Sequence, residues 1–253
     1  MMQLLFANAK IMREGLWEEP WSQPFFQLIA EKLAKDMACL DANTLGEKLG
    51  CSSKLAIDTH LRYQNFFMAK KQPAIYAYYG QSYKHLKAVS LDNNTLEYAQ
   101  RHLLITSFLY GLLRPMDGIV PYRMEHNISL ESTANNPVSK YWKTYLTGFL
   151  IERVKNDDGV LIHLSTEEYE HLFDWAKVEK EIKVIHPLFY VRRPDGQLKI
   201  QAVWAKSCRG AMTRYILTHR PENFEDLITF SYEGFEYNAN IGNERFPHFI
   251  REL

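Results

Sequence analysis

Two β-rich runs separated by a short turn restrict the fold of this sequence more than any other feature. The runs are EIKVIHPLFYVRR (181–193) and QLKIQAVWAK (197–206), and the Pro-Asp-Gly segment between them (194–196) is typical of a hairpin turn. A helix is predicted to follow directly, beginning near Ser207 within AKSCRGAMTRYI (205–216). The sequence therefore predicts a β-hairpin followed by a helix near the carboxyl terminus.

The rest of the chain alternates between helical and strand patterns. Apolar spacing predicts an early helical block over 24–70, a helix over 138–154 and strands over 3–8, 159–165, 231–238 and 244–251. No internal repeat or linker composition interrupts the sequence. We therefore expect an α+β (mixed α/β) fold in a single compact domain spanning 1–253, with a mixed sheet built mainly from the later strands.

Charge and cysteine content narrow the function. Lys and Arg number 30 and so do Asp and Glu, so the net charge is zero, which argues against a uniformly basic surface but allows a local basic patch. The three cysteines form no CxxC pair, which favours a reducing compartment. No apolar run approaches the roughly 20 residues that span a bilayer. These features predict a cytoplasmic protein with no membrane partner.

An acid-free window lies over 196–221. It holds five cations and no Asp or Glu: Lys199, Lys206, Arg209, Arg214 and Arg220. If the helix begins near Ser207, its dipole opposes cations there, so an anion is expected among them. Small Gly210 between Arg209 and Arg214 predicts open backbone, and a helix start with guanidinium groups is typical of a phosphate site. The alternative is a surface helix whose cations pair with the acidic residues after 221.

A second basic segment is LYGLLRPMDGIVPYRME (109–125). Arg114 precedes a proline, which favours an extended backbone, and Arg123 follows Tyr122. Two prolines and a glycine predict a rigid loop, the usual carrier of binding residues. The alternative is a structural turn with two solvated arginines.

Motifs for metals, cofactors and catalysis are weak or absent. HLSTEEYEH (163–171) contains one E-x-x-H pattern, Glu168 and His171, whereas a di-iron bundle needs two, so no metal is expected. No P-loop, GxGxxG, GxSxG or HExxH occurs, so no cofactor is expected and no catalytic residue is identified. The cations near Cys208 suggest a lowered thiol pKa and sensitivity to peroxide.

Several segments together resemble the YaaA family of bacterial peroxide-stress proteins. These are LYGLLRPMDGIVPYRME, KYWK, LSTEEY, WAKSCRGAMTRYI and FSYEGFEYN, in the family's order and approximate spacing. The chain departs from the family pattern in two places. FANAK replaces a sequence like ISPAK, which puts Asn8 in place of proline, and AKSCRG replaces AKKARG, which puts Ser207 in place of lysine.

The resemblance implies a compact domain with a mixed sheet, a positively charged cleft, a helix-hairpin-helix element and DNA binding. It also implies that the protein limits oxidative DNA damage and free intracellular iron. The positions of this chain that match the family's motifs are Lys10, Arg114, Tyr122, Arg123, Glu125, Lys206, Arg209, Gly210 and Arg214.

The leading hypothesis is a peroxide-stress protein that binds DNA phosphates in a basic cleft without sequence specificity, with Tyr122 stacking on a base. The alternative is an enzyme that acts on a nucleotide or another small phosphorylated substrate, with Glu125 and Glu168 forming a polar pocket. A third option is a scaffold or iron-handling protein that contacts DNA incidentally. The sequence does not decide whether the protein is an enzyme.

Overall fold

The computed structural model describes residues 2–15 and 19–252. In these residues the α-helices fall into an early block, a long central helix and a set in the carboxyl-terminal half. Their bounds are α1 Gln27–Ala38, α2 Ala42–Leu49, α3 Ser53–Gln64, α4 Ala74–Ala77, α5 Gln81–Leu86, α6 Asn93–His102, α7 Val138–Lys155, α8 Glu167–Glu170, α9 Trp175–Glu181, α10 Ala202–His219 and α11 Phe224–Leu227.

The strands are short and spread along the whole chain. Their bounds are β1 Gln3–Ala7, β2 Gln72–Pro73, β3 Leu103–Ser107, β4 Gly111–Leu113, β5 Gly118–Ile119, β6 Val160–Leu164, β7 Lys183–Ile185, β8 Leu188–Arg192, β9 Leu198–Lys199, β10 Ser231–Tyr232, β11 Phe235–Gly242 and β12 Pro247–Glu252. They confirm the mixed α/β class. They form two five-stranded sheets and a two-stranded ribbon, rather than one mixed sheet.

The first sheet has the order β4-β3-β1-β6-β7. Strands β3, β1, β6 and β7 are parallel, and only β4 is antiparallel. Strand β1 lies at the centre because its residues are buried on both faces, as is typical of parallel sheets covered by helices. The carboxyl ends of β1 and β6 therefore open at the same edge of the sheet.

The second sheet has the order β10-β11-β12-β8-β9 and contains the predicted hairpin. Strands β8 and β9 pair in antiparallel fashion, which confirms the hairpin around 194–196. The first β-rich run is not one strand, however. It breaks after Ile185 into β7 of the first sheet and β8 of the second, because Pro187 has no backbone N–H to continue a ladder.

Helix α10 begins earlier than the sequence suggests. It starts at Ala202, so half of the second predicted run is helical and β9 has only two residues. Lys206 and Arg209 therefore lie in the second and third turns of α10. Because the dipole effect fades after the first turn, the argument from cations at the helix start is wrong.

Helices α2 and α3 follow one another closely and are the candidate for the helix-hairpin-helix that the family resemblance implies. Three residues join them, and Gly50 adopts a left-handed conformation (φ 56°) that a glycine accepts without strain. The Ser52 hydroxyl then accepts a hydrogen bond from the backbone N–H of Leu55 and caps α3.

One cluster of buried apolar side chains extends through both sheets and the helices around them. The largest fully buried side chain is Trp142 of α7, whose ring N–H donates to the carbonyl of Phe108 at 2.8 Å. Trp142 therefore serves packing. Among the helices that the structure describes, none has the length and apolarity needed to cross a membrane.

Candidate functional site

A cleft lies at the carboxyl edge of the first sheet, where β1 and β6 end. It consists of a cavity of about 340 Å³ and a smaller adjoining cavity, which share the segment after β1 and Tyr169 of α8. We call this site the cleft. Its polar lining residues are Asn8, Lys10, Tyr79, Gln81, Ser82, Tyr83, Tyr122, Arg123, Glu125, Thr166, Glu168, Tyr169, Lys206 and Arg209. The crevice at the carboxyl ends of parallel strands is the usual ligand position in open α/β sheets.

Glu125 holds two of the predicted cations at one side of the cleft. Its carboxylate accepts from Lys10 Nζ at 2.7 Å and from Arg123 Nη2 at 2.9 Å. The side chains of Glu125 and Arg123 are 12% and 17% exposed, while Lys10 is 53% exposed. The three residues carry a net charge of +1. Glu125 thus fixes the positions of both cations and leaves part of their charge available to an anion.

Tyr122 lies beneath the cleft and is not a base-stacking surface. It is 4% exposed, and its hydroxyl contacts Ser107 Oγ at 2.7 Å, Tyr78 Oη at 2.8 Å and Asn8 Nδ2 at 2.9 Å. Burial raises the pKa of this phenol above its ordinary value. Because no face of the ring reaches solvent, the predicted stacking role of Tyr122 is wrong. Its hydroxyl instead orients Asn8.

Asn8 and Tyr169 are cleft residues that motif analysis missed. The Tyr169 hydroxyl donates to Asn8 Oδ1, so Asn8 links α8 to Tyr122. The Tyr169 ring is 5% exposed and stacks on Phe108 with ring centroids 4.7 Å apart. The sequence signals for Asn8 were its place directly after a buried strand and its replacement of the family's proline. This network fixes α8, and with it Glu168, at the edge of the cleft.

Arg209 supplies the main unneutralised charge of the cleft. Its side chain is half-buried, and burial lowers the pKa of its guanidinium. Within residues 2–15 and 19–252, no carboxylate forms a salt bridge with Arg209 or with the exposed Lys206 one turn before it. Buried cations in proteins are normally paired with an acid. The arrangement therefore favours an anion next to Arg209.

Gly210 has a structural role and not an open backbone. A Cβ at this position would lie 1.9 Å from the carbonyl oxygen of Ser82 at the start of α5. Gln81 Nε2 also donates to Ser207 Oγ at 2.9 Å across the same contact. The expected exposure of Gly210 to a phosphate is therefore wrong, because glycine is needed here to let α10 pack on α5.

Comparison with known proteins places the chain in a family. Residues 2–241 match the family model described as "Peroxide stress protein YaaA". The chain belongs to the YaaA family. A relative in Phocaeicola vulgatus is 41% identical over 256 residues, covering 100% of this chain and 99% of its own. Relatives in Porphyromonas gingivalis and Legionella pneumophila (strain Lens) are 40% and 34% identical, each with 91% coverage of both chains. All three are described as UPF0246 proteins.

Two of the arginines that match the YaaA pattern lie outside the cleft. Arg114 pairs with the fully buried Asp117 at 2.8 Å and lies over the Phe25 ring at 4.4 Å. Arg214 donates to the carbonyls of Leu86 and Lys87 at 3.1 and 3.0 Å, where it caps the carboxyl end of α5. Both guanidinium groups are therefore used for structure.

The departures of this chain from the YaaA pattern have structural explanations. Asn8 makes the two hydrogen bonds described above. Ser207 is 1% exposed, accepts from Gln81 and donates to the Val203 carbonyl at 2.9 Å. The second departure replaces a lysine by an uncharged residue, but Lys206 and Arg209 remain in the cleft.

Cys208 does not have the lowered pKa that its neighbours suggested. It is fully buried, and burial raises the pKa of its thiol to about 12 despite the nearby Arg209. The thiolate is the reactive form, so the hypothesis of a peroxide-sensitive Cys208 is wrong.

Proposed function

We propose that this member of the peroxide-stress family binds nucleic acid in the cleft, with one DNA phosphate next to Arg209. The observation that carries the proposal is the half-buried Arg209 guanidinium, which has no acidic partner among the described residues. A phosphate would supply the missing negative charge and accept bidentate hydrogen bonds. Lys10 and Lys206 at the rim would contact neighbouring phosphates. DNA binding is also what the family resemblance implies.

A basic aromatic groove adjoins the cleft and supports this proposal. We call it the Tyr79 groove. It has a volume of about 220 Å³, shares Tyr79 and Tyr83 with the cleft, and is lined by Arg13, Lys84 and Lys87 but by no carboxylate among the described residues. The Arg13 guanidinium and the Lys84 ammonium lie 4.8 and 5.3 Å from the centre of the Tyr79 ring. Cations interleaved with aromatic rings are typical of single-strand binding.

The size of the cleft favours a single strand over a duplex. A cavity of about 340 Å³ is at the lower end of the range for small-molecule sites. It can admit one nucleotide but not a double helix, whose major groove alone is about 12 Å wide. We therefore propose that one nucleotide of a single-stranded segment enters the cleft and that the next ones follow the Tyr79 groove.

The test is the salt dependence of binding to a labelled single-stranded oligonucleotide, measured by fluorescence anisotropy. Arg209→Ala should weaken binding about 10- to 100-fold, because charge-assisted hydrogen bonds contribute about 1.5–3 kcal/mol. It should also reduce the slope of log K against log salt by about 0.7, the value for one phosphate of a single strand.

The matched control is Arg193→Ala, which removes the same charge from the exposed hairpin turn and should leave affinity and slope nearly unchanged. Binding that survives Arg209→Ala but is lost on Lys54→Ala would place the DNA on the helix-hairpin-helix and would overturn the cleft proposal. Absence of binding at low salt would overturn nucleic-acid binding altogether.

A second candidate function is an enzyme acting on a nucleotide or another small phosphorylated substrate. The observation that favours it is the presence of Glu125 and Glu168 on the two adjoining cavities of the cleft, since carboxylates repel phosphate but suit a general base or a ribose contact. Thermal-shift measurements with mononucleotides and with oligonucleotides distinguish the two functions. Stabilisation by a mononucleotide at micromolar concentration favours the enzyme, and stabilisation only by oligonucleotides favours DNA binding.

A further inference from the structure

Two histidines lie side by side at the carboxyl edge of the first sheet. His163 belongs to β6 and His186 directly follows β7, and these strands are parallel neighbours with Ile162 opposite Ile185. The next position on each strand is therefore a histidine, and the centroids of the two rings are 4.8 Å apart. The third member of the group, Glu170 of α8, has a carboxylate oxygen 3.6 Å from His163 Nε2.

One ring nitrogen of each histidine lacks a hydrogen bond. The Nε2 atoms of His163 and His186 are both buried, and neither has a hydrogen-bond partner among the described residues. The His163 side chain is 6% exposed, and a buried polar atom left without a partner costs about 1–3 kcal/mol. In a neutral imidazole one ring nitrogen carries a lone pair, so each of these rings can act as a metal ligand.

We propose that His163, Glu170 and His186 bind a divalent first-row transition-metal ion. One ligand atom from each residue can be chosen so that all three lie within 4.8 Å of one another. Bonds of about 2.0–2.2 Å bring ligand atoms to about 3.0–3.5 Å from one another, so modest side-chain rotations close the site. We call these residues the His-Glu cluster.

The ligand types restrict the metal. Two imidazoles with one carboxylate suit Zn²⁺ and Fe²⁺, whereas Mg²⁺ and Ca²⁺ prefer oxygen ligands alone. Three protein ligands also leave coordination positions free for water or a substrate. Glu170 is 23% exposed, so such a molecule can reach the cluster from solvent.

Neighbouring residues orient the cluster. Glu179 approaches His186 Nε2 at 3.5 Å, but its carboxylate is already held by Arg245. It is therefore a positioning residue for His186. The Trp175 ring lies against both imidazoles, with centroid distances of 4.8 Å to His163 and 5.9 Å to His186. Its fluorescence should report on a bound metal.

The His-Glu cluster shares no residue with the cleft. The metal proposal can therefore be tested independently of nucleic-acid binding. The two sites are close along the chain. Helix α8 carries Glu168 at the cleft and Glu170 at the cluster. The sequence predicted no metal because it holds a single E-x-x-H pattern, Glu168 and His171, and neither of these residues is in the cluster.

The test uses the untagged full chain, stripped with a chelator and titrated with Co²⁺ and Zn²⁺. We expect one Co²⁺ per chain with quenching of Trp175 fluorescence, and competition by Zn²⁺ at the same stoichiometry. Glu170→Gln and His186→Ala should each weaken binding at least tenfold. Trp175→Phe should remove the quenching while leaving the stoichiometry measured by calorimetry unchanged.

The matched control is His171→Ala, which removes an exposed histidine one residue from Glu170 and should leave the affinity unchanged. Glu170→Gln keeps the shape of a partly exposed side chain, so a folded variant is expected even if His163 variants unfold. A wild-type chain that binds no ion at micromolar concentration overturns the proposal. Equal affinity of wild type, Glu170→Gln and His186→Ala also overturns it.

Discussion

Replacing Arg209 by methionine should make the free protein more stable and the complex weaker. The guanidinium is half-buried beside the cleft without an acid among the described residues, and burial lowers its pKa. Methionine has a similar length and fills the same space without a charge. The substitution therefore removes a desolvation cost from the free protein and removes the phosphate contact from the complex.

The desolvation cost in the free protein and the phosphate contact in the complex set the expected magnitudes. A buried polar group without a partner costs about 1–3 kcal/mol, and partial exposure of Arg209 reduces this, so we expect a gain of about 1–2 kcal/mol. For a chain of this length that corresponds to a rise in Tm of about 2–8 °C. Loss of charge-assisted hydrogen bonds to a phosphate should weaken oligonucleotide binding about 10- to 100-fold.

Replacing Arg214 of the same helix by methionine should have the opposite effect on stability and no effect on affinity. Its guanidinium caps α5 through the carbonyls of Leu86 and Lys87, so Arg214→Met should lower stability by about 1–3 kcal/mol and leave affinity unchanged. Thermal unfolding gives the change in stability of each variant, and anisotropy titrations give the change in oligonucleotide affinity of each. If Arg209→Met is destabilised like Arg214→Met and still binds as the wild type does, Arg209 is structural and the argument for an anion site fails.

Three further outcomes check the interior around the cleft. Gly210→Ala should lower the free energy of unfolding by about 1–3 kcal/mol in denaturant titrations. The clash of the new Cβ with the Ser82 carbonyl exceeds the gain in helix propensity, which is about 1 kcal/mol. A more stable variant would contradict this packing. Tyr122→Phe should cost about 1–3 kcal/mol, since it leaves buried partners of the hydroxyl unsatisfied, and unchanged stability would argue against the network. Cys208 should resist thiol reagents at pH 7–9 in the native protein while exposed Cys39 reacts. Because its folded pKa is raised from 9.0 to about 12, its stabilising contribution is complete below about pH 9 and is lost as the pH rises towards 12, and Cys208→Ala should flatten that loss.

Local sequence signals predicted most of the elements. The strand over 3–8, the helix over 138–154 and the hairpin around 194–196 all occur, because periodicity, buried runs and turn residues act within a few neighbours. Element boundaries were less predictable. The helix start near 207 was wrong by five residues, because α10 has no side-chain cap at Gln201 to mark its beginning.

The candidate site could be predicted only in part, because long-range contacts decide which cations are available. Lys10, Arg123, Lys206 and Arg209 come together at the cleft, although the chain separates them by up to about two hundred residues. Arg114 has the same residue type and a similar loop context, yet the buried Asp117 neutralises it. Asp117 lies only three residues from Arg114, so that pair is local, whereas the lack of a carboxylate beside Arg209 among the described residues depends on the whole fold.

The single E-x-x-H pattern illustrates the same limit at the His-Glu cluster. Glu168 and His171 would share a helix face only if the helix continued past them, but α8 ends at Glu170 and His171 is exposed. The side chain near His163 is instead Glu170, and His186 arrives from the neighbouring parallel strand. Strand register sets the distance between His163 and His186. These two residues are 23 positions apart along the chain, yet they lie side by side in the fold. Spacing rules for helices therefore miss a site that a parallel sheet assembles.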